Sequence, residues 1–102
     1  MSIKIGDYTF DGPYTLNSSL KDRSGVYAII CRENRKYYLI DVGESAGVKT
    51  RIETHDRKSC WERKCQGVLF VAIYYTPNLQ QLGRKAVEQK IRNQYRIPCG
   101  ER

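Results

Sequence analysis

Long apolar runs are missing from this sequence, and a helix that crosses a bilayer needs about 20 such residues. Internal repeats, low-complexity tracts and Pro/Gly/Ser linkers are missing too, which excludes repeat arrays and a chain split into separate domains. The opening stretch MSIKIGDYTF lacks the charged-then-apolar pattern of a secretory leader. The expectation that follows is a soluble, cytoplasmic protein. There is one histidine, His55, and the four cysteines (Cys31, Cys60, Cys65, Cys99) include no CxxC pair, which weighs against structural zinc. In a cytoplasmic chain disulfides are not expected. Cys31, inside an apolar stretch, reads as a buried free thiol.

What is present fits one folded domain over residues 1–102, with 40% apolar and 11% aromatic residues. The net charge is +7, and its placement is uneven. Residues 1–48 carry six basic and six acidic side chains, whereas residues 49–102 carry twelve and five. The excess sits in pairs such as Arg57-Lys58, Arg63-Lys64, Arg84-Lys85 and Lys90-x-Arg92. A one-sided basic surface is the electrostatic footprint of a polyanion binder, most often of nucleic acid.

Along the chain, Ile3, Ile5, Tyr8 and Phe10 alternate loosely, and residues 1–23 read as an outer strand or arm followed by loop. GVYAIIC (25–31) is a strand, RENRK a short connection, and Tyr37 to Val42 a second strand, which together make an antiparallel hairpin. From Gly47 to about His55, Val48 and Ile52 lie four apart, as do Arg51 and His55, giving a short amphipathic helix with two faces. DRKSCWERKC reads as loop or a further helical turn, and GVLFVAIYY (67–75) as a central strand. Asn78 stands at a helix N-cap with Gln81 in capping-box position. The helix from about Leu79 to Tyr95 then buries Leu82, Ala86, Val87 and Ile91. The order β-β-α-β-α predicts an α+β fold, a small three-stranded antiparallel sheet flanked by helices.

Several polar residues stand where a plain scaffold does not need them: Tyr27 inside the first strand, Asp41 closing the second, Arg51 and His55 on one helix face, and Glu88 in the last helix. Each has an ordinary reading. Tyr27 serves as a core aromatic, Asp41 starts a turn, and Arg51 and His55 lie on the surface. Glu88 with Arg84 and Arg92 forms a solvated ion-pair ladder.

The ordered set of GVY (25–27), Asp41-Val42-Gly43, Arg51, His55, Glu88 and EQKIRNQYRIP resembles the GIY-YIG nuclease family over about residues 24–99. In layout it is closest to the nuclease module of the bacterial excision-repair endonuclease. The resemblance implies a divalent-metal-dependent endonuclease that hydrolyses phosphodiester bonds, acting on DNA rather than RNA. It assigns Tyr27, Arg51 and His55 to catalysis and Glu88 to one Mg²⁺ or Mn²⁺ ion. The chemistry agrees with those roles. A fixed guanidinium stabilises charge gathering on a phosphodiester, and a hard cation takes oxygen ligands. Asp41 occupies the place of the second-motif tyrosine, and Tyr38, three residues earlier, points to the opposite sheet face at that odd offset. Asp41 is then open to three readings: a general base, a second metal ligand beside Glu88, or the mark of a domain that only binds. That last alternative is a catalytically degenerate nucleic-acid-binding or adaptor module, its targeting supplied by a second copy or a partner protein.

Overall fold

The computed structural model describes residues 1–100. It contains strands β1 (Ser2–Ile5), β2 (Tyr8–Thr15), β3 (Gly25–Glu33) and β4 (Lys36–Ser45), helices α1 (Val48–Glu53) and α2 (Lys58–Lys64), strand β5 (Val68–Tyr75) and helix α3 (Gln81–Gln94). All five strands join one antiparallel sheet in the order β1-β2-β5-β3-β4. The expected three-stranded sheet is therefore corrected to a five-stranded half-barrel with three short helices. The difference lies at the N-terminus. Residues expected to form an outer strand or arm followed by loop make a hairpin of two strands, and β2 pairs along β5 from Asp11↔Ile73 to Thr15↔Phe70. A strand edge left bare on β5 would expose a row of unpaired backbone groups, and β2 covers it.

Asn34 and Arg35, at φ 51° and 68°, close the β3–β4 hairpin as a two-residue turn. Positive φ at both positions matches the twist of the flanking strands. A bulge between Ile29 and Ile30 changes the register, from Ile29↔Asp41 to Ile30↔Leu39. Ile40 is the extra residue. Because of it Tyr38 faces Cys31 while Asp41 faces Ile29, and those two partners share one core cluster. The expectation that Tyr38 and Asp41 point to opposite faces is thus overturned by one inserted residue.

The sheet has a core on each side. Val26, Ala28, Ile30, Val42 and Ala72 pack on Val87 and Ile91 of α3. Tyr27, Ile29, Cys31, Val71 and Ile73 pack on Val48 and Ile52 of α1 and Trp61 of α2. Helix α3 departs from its expected stripe: Leu82 is 85% exposed and Ala86 is exposed, while Arg84 and Arg92 are buried beside Val87 and Ile91. No side-chain bond caps α3, whose N-cap is Gln80 rather than Asn78. The buried stripe runs through two arginines because acids of β4 await them.

The cysteines differ from expectation as well. Cys31 bonds to Cys65 and Cys60 to Cys99, and no free cysteine remains among the described residues. The first bond ties β3 to the end of α2, and the second ties α2 to the C-terminal segment. That segment lies along β4, where the Cys99 amide donates to the Ile40 carbonyl. No helix among the described residues is long and apolar enough to cross a membrane.

Candidate functional site

Tyr27, the third residue of β3, projects into the α1–α2 side and is almost fully buried. Its neighbour across the pair is Gly43, where a Cβ would overlap the phenol hydroxyl. A side chain at position 43 and an upright Tyr27 exclude each other, so the glycine serves close approach. The phenol oxygen meets His55 Nε2 at 2.5 Å. His55 lies just beyond the end of α1 rather than on its face, and it is buried against Trp61, the ring centroids 4.7 Å apart.

The hydrogen bonds assign the imidazole tautomer. The Arg57 amide donates to His55 Nδ1 at 3.1 Å, so the neutral ring carries its proton on Nε2 and donates it to Tyr27. Burial, helped by the charges of Arg51 and Arg57, pushes the imidazole down to about 4. The nearby Asp56 carboxylate, 3.4 Å from Nδ1, is then no ion-pair partner at neutral pH. Burial pushes the Tyr27 phenol up to about 12, although the same two arginines act against it. Both groups are neutral at pH 7, and neither stands ready to take a proton.

This arrangement has a measurable consequence. A histidine whose folded pKa lies below its ordinary 6.5 contributes stability above pH 6.5 and loses it as pH falls toward about 4. The loss across that window is roughly 3 kcal/mol. Urea unfolding at pH 7.5 and pH 4.5 measures it, and the His55→Gln variant is expected to lose most of the slope. Equal slopes in the two proteins would contradict the buried neutral imidazole.

Arg51 comes from the last turn of α1, with its side chain 37% exposed, and touches Asp56 at 3.3 Å. It is the part of this cluster that solvent meets. Asp41 is the opposite case, fully buried with five hydrogen bonds. Its Oδ1 accepts from the Val42 amide at 2.8 Å, Arg57 Nη2 at 3.3 Å and Arg92 Nη2 at 2.9 Å. Its Oδ2 accepts from Arg57 Nε and Trp61 Nε1, both at 2.8 Å. The carboxylate has little acceptor capacity left for a water or a metal.

Glu88 stands on α3, the helix that packs on the other side of the sheet from Tyr27. It reaches the cluster through Arg92, whose Nε bonds Glu88 Oε2 at 3.2 Å while its Nη2 holds Asp41. The structure thus gathers Tyr27, Arg51, His55 and Asp41 near one another and links Glu88 to them by a guanidinium. The sheet-edge position of β4 permits this. Arg92 reaches the edge, bonding the Val42 carbonyl on its way to Asp41.

Comparison with family models, curated proteins and solved structures finds no match for this chain. The likeness to the GIY-YIG nucleases rests on the residues themselves. The fit of a divalent ion to them is poor. Glu88 is the carboxylate that the resemblance gives to the ion and Asp41 the second ligand it leaves open, and a guanidinium already bridges them. An ion held by both carboxylates at once has to displace Arg92, which is 7% exposed. The convergent ligand group found among the described residues, Cys31, Glu33 and Cys65, has its two sulfurs bonded to each other.

Sequence reasoning missed Arg57, Trp61 and Arg92 as the partners of Asp41, and Arg84 as the partner of Glu44 at 2.9 Å. One signal was available. Arg84, Glu88 and Arg92 recur at four-residue spacing beside Val87 and Ile91, on the face that the apolar residues bury. The expected solvated ladder is an interior one at its two arginines.

Proposed function

We propose that the domain binds the sugar-phosphate backbone of nucleic acid and does not cut it. The observation that carries this reading is the Arg92 guanidinium, a resident cation between Asp41 and Glu88, the carboxylate that the resemblance gives to the metal. Arg51, half-exposed beside a neutral phenol–imidazole pair, is a suitable contact for a phosphate oxygen. The segment from Lys49 to Lys64 adds Lys58, Arg63 and Lys64 as exposed cations. Such binding is nonspecific, with micromolar affinity at physiological salt. DNA in preference to RNA follows from the family resemblance, and targeting then falls to a second copy or a partner protein.

The convergence of Tyr27, Arg51 and His55 favours a second reading, a metal-dependent endonuclease. One set of measurements separates the two. Gel shifts on duplex DNA are expected to show salt-sensitive binding, with the slope of log K against log salt falling by about 0.9 for Arg51→Ala. Plasmid-nicking assays with Mg²⁺ and with Mn²⁺ are expected to show no cleavage. Nicking by the wild type that Glu88→Ala abolishes would reject the binding-only reading. Absence of any shift at low salt removes both.

On location, a cytoplasmic protein keeps its cysteines reduced, and the two disulfides favour an oxidising compartment over the expected cytoplasm.

A further inference from the structure

The half-barrel brings its two edge strands toward each other, and a groove of about 720 Å³ opens between β1 and β4 beside the C-terminal segment. Aliphatic side chains of both strands form its floor. Three tyrosines stand in its wall with large exposed areas: Tyr37 at 48%, Tyr38 at 47% and Tyr95 at 40%. Three cations, Lys4, Lys64 and Arg96, line it as well, and none forms an ion pair among the described residues. Glu33 is the one acid in the lining.

From this geometry we infer that the groove is a binding site for single-stranded nucleic acid, its bases stacked on Tyr37 and Tyr38 and its phosphates held by Lys4, Lys64 and Arg96. The inference rests on the nucleic-acid reading above and names the strand state and the place where bases are held. Stacking needs an open aromatic face and a nearby cation to follow the backbone, and it tolerates any base. Exposed rings and cations are both present here, and the Arg32 guanidinium already covers one face of Tyr37 at 5.9 Å from the ring centroid, which leaves the other for a base. Tyr37 is held from within by Phe70 in an edge contact at 6.4 Å, and the Tyr95 hydroxyl accepts the Gly6 amide at 2.8 Å. Tyr37, fixed in this way, loses little freedom on binding. Exposed tyrosines on an edge strand are otherwise a liability for aggregation. Lys64 closes α2 and lines the groove. An acidic peptide would meet the same cations. Tyr37 and Tyr38 leave the β4 edge on opposite faces and both line the groove there, and exposed rings beside three cations against one acid favour the nucleic acid.

The test uses the full chain and fluorescence anisotropy with labelled oligodeoxythymidine and, separately, a duplex of mixed sequence. Both tyrosines are about half exposed, so Tyr37→Ala/Tyr38→Ala is expected to fold, with circular dichroism and the melting curve as checks. The variant is expected to bind oligodeoxythymidine at least roughly tenfold more weakly than wild type, with duplex affinity little changed. Tyr37→Phe/Tyr38→Phe, which keeps the rings, is expected to restore binding. Photocrosslinking with bromodeoxyuridine is expected to mark residues 37 and 38. Unchanged oligodeoxythymidine affinity in the alanine variant overturns the groove assignment while duplex binding leaves the broader reading standing. Failure of the wild type to bind either nucleic acid overturns both. A peptide or a second copy as occupant leaves the oligodeoxythymidine affinity unchanged and shows itself as self-association or peptide binding that the alanine variant loses, which also overturns the assignment.

Discussion

Asp41→Ala is expected to destabilise the domain by about 3–5 kcal/mol, the usual cost of removing one partner from a buried ion pair. For a domain of this size that is a fall in Tm on the order of 20 °C. The reason is the set of donors left behind. Arg57, Arg92 and the Trp61 indole all point at the missing carboxylate, and Arg92 is buried. Asp41 and Glu88 together balance Arg57 and Arg92, so the deletion leaves one positive charge uncompensated in the interior. Replacing the acid and Arg92 together, as Asp41→Ala/Arg92→Met, is expected to cost less than the sum of the single changes, because each single change strands the other charge. Urea and thermal unfolding of the three variants measure it. A melting point for Asp41→Ala within a degree or two of wild type would falsify this structural role of Asp41. A purely catalytic Asp41 predicts that result, with lost activity and an unchanged melt.

The strands at 25–33, 36–45 and 68–75 were legible because β-branched and aromatic residues fill them. Strand β2 was not. It contains Asp11-Gly12-Pro13, which reads as a turn, and the ladder to β5 shifts register between Asp11 and Tyr14. Its pairing depends on a partner some sixty residues away, for example Asp11 opposite Ile73, which local pattern does not carry. Helix α3 was placed correctly to within two residues at its start and one at its end, yet its buried face was misassigned. Charged side chains are read as surface by default, and Arg84 and Arg92 are inside because Glu44 and Asp41 stand on the neighbouring strand. The same cause hid the environment of Asp41. A carboxylate ending an apolar strand was visible, but its donors come from positions 57, 61 and 92, which only the fold assembles.

The disulfides carry the second large effect. Each closes a long segment, with sequence separations of 34 for Cys31–Cys65 and 39 for Cys60–Cys99. Chain-entropy reasoning assigns about 3–4 kcal/mol to each closure. A small domain has a total stability of about 5–15 kcal/mol, so reduction of both bonds is expected to remove about half of it or more. Cys60→Ser/Cys99→Ser is the more informative variant. The Cys99 amide and carbonyl hold Ile40 and Arg92 respectively, so this bond anchors the segment that covers the β4 edge and steadies the guanidinium on Asp41. Its loss is expected to be less than additive with Asp41→Ala, whereas Cys31→Ser/Cys65→Ser is expected to add independently. Maleimide trapping during extraction, read by mass spectrometry, reports whether the four thiols are oxidised in the cell. Four alkylated thiols in a protein that still melts cooperatively at wild-type temperature would show that the packing of Asp41, Arg57 and Arg92 holds the C-terminal segment without the bond.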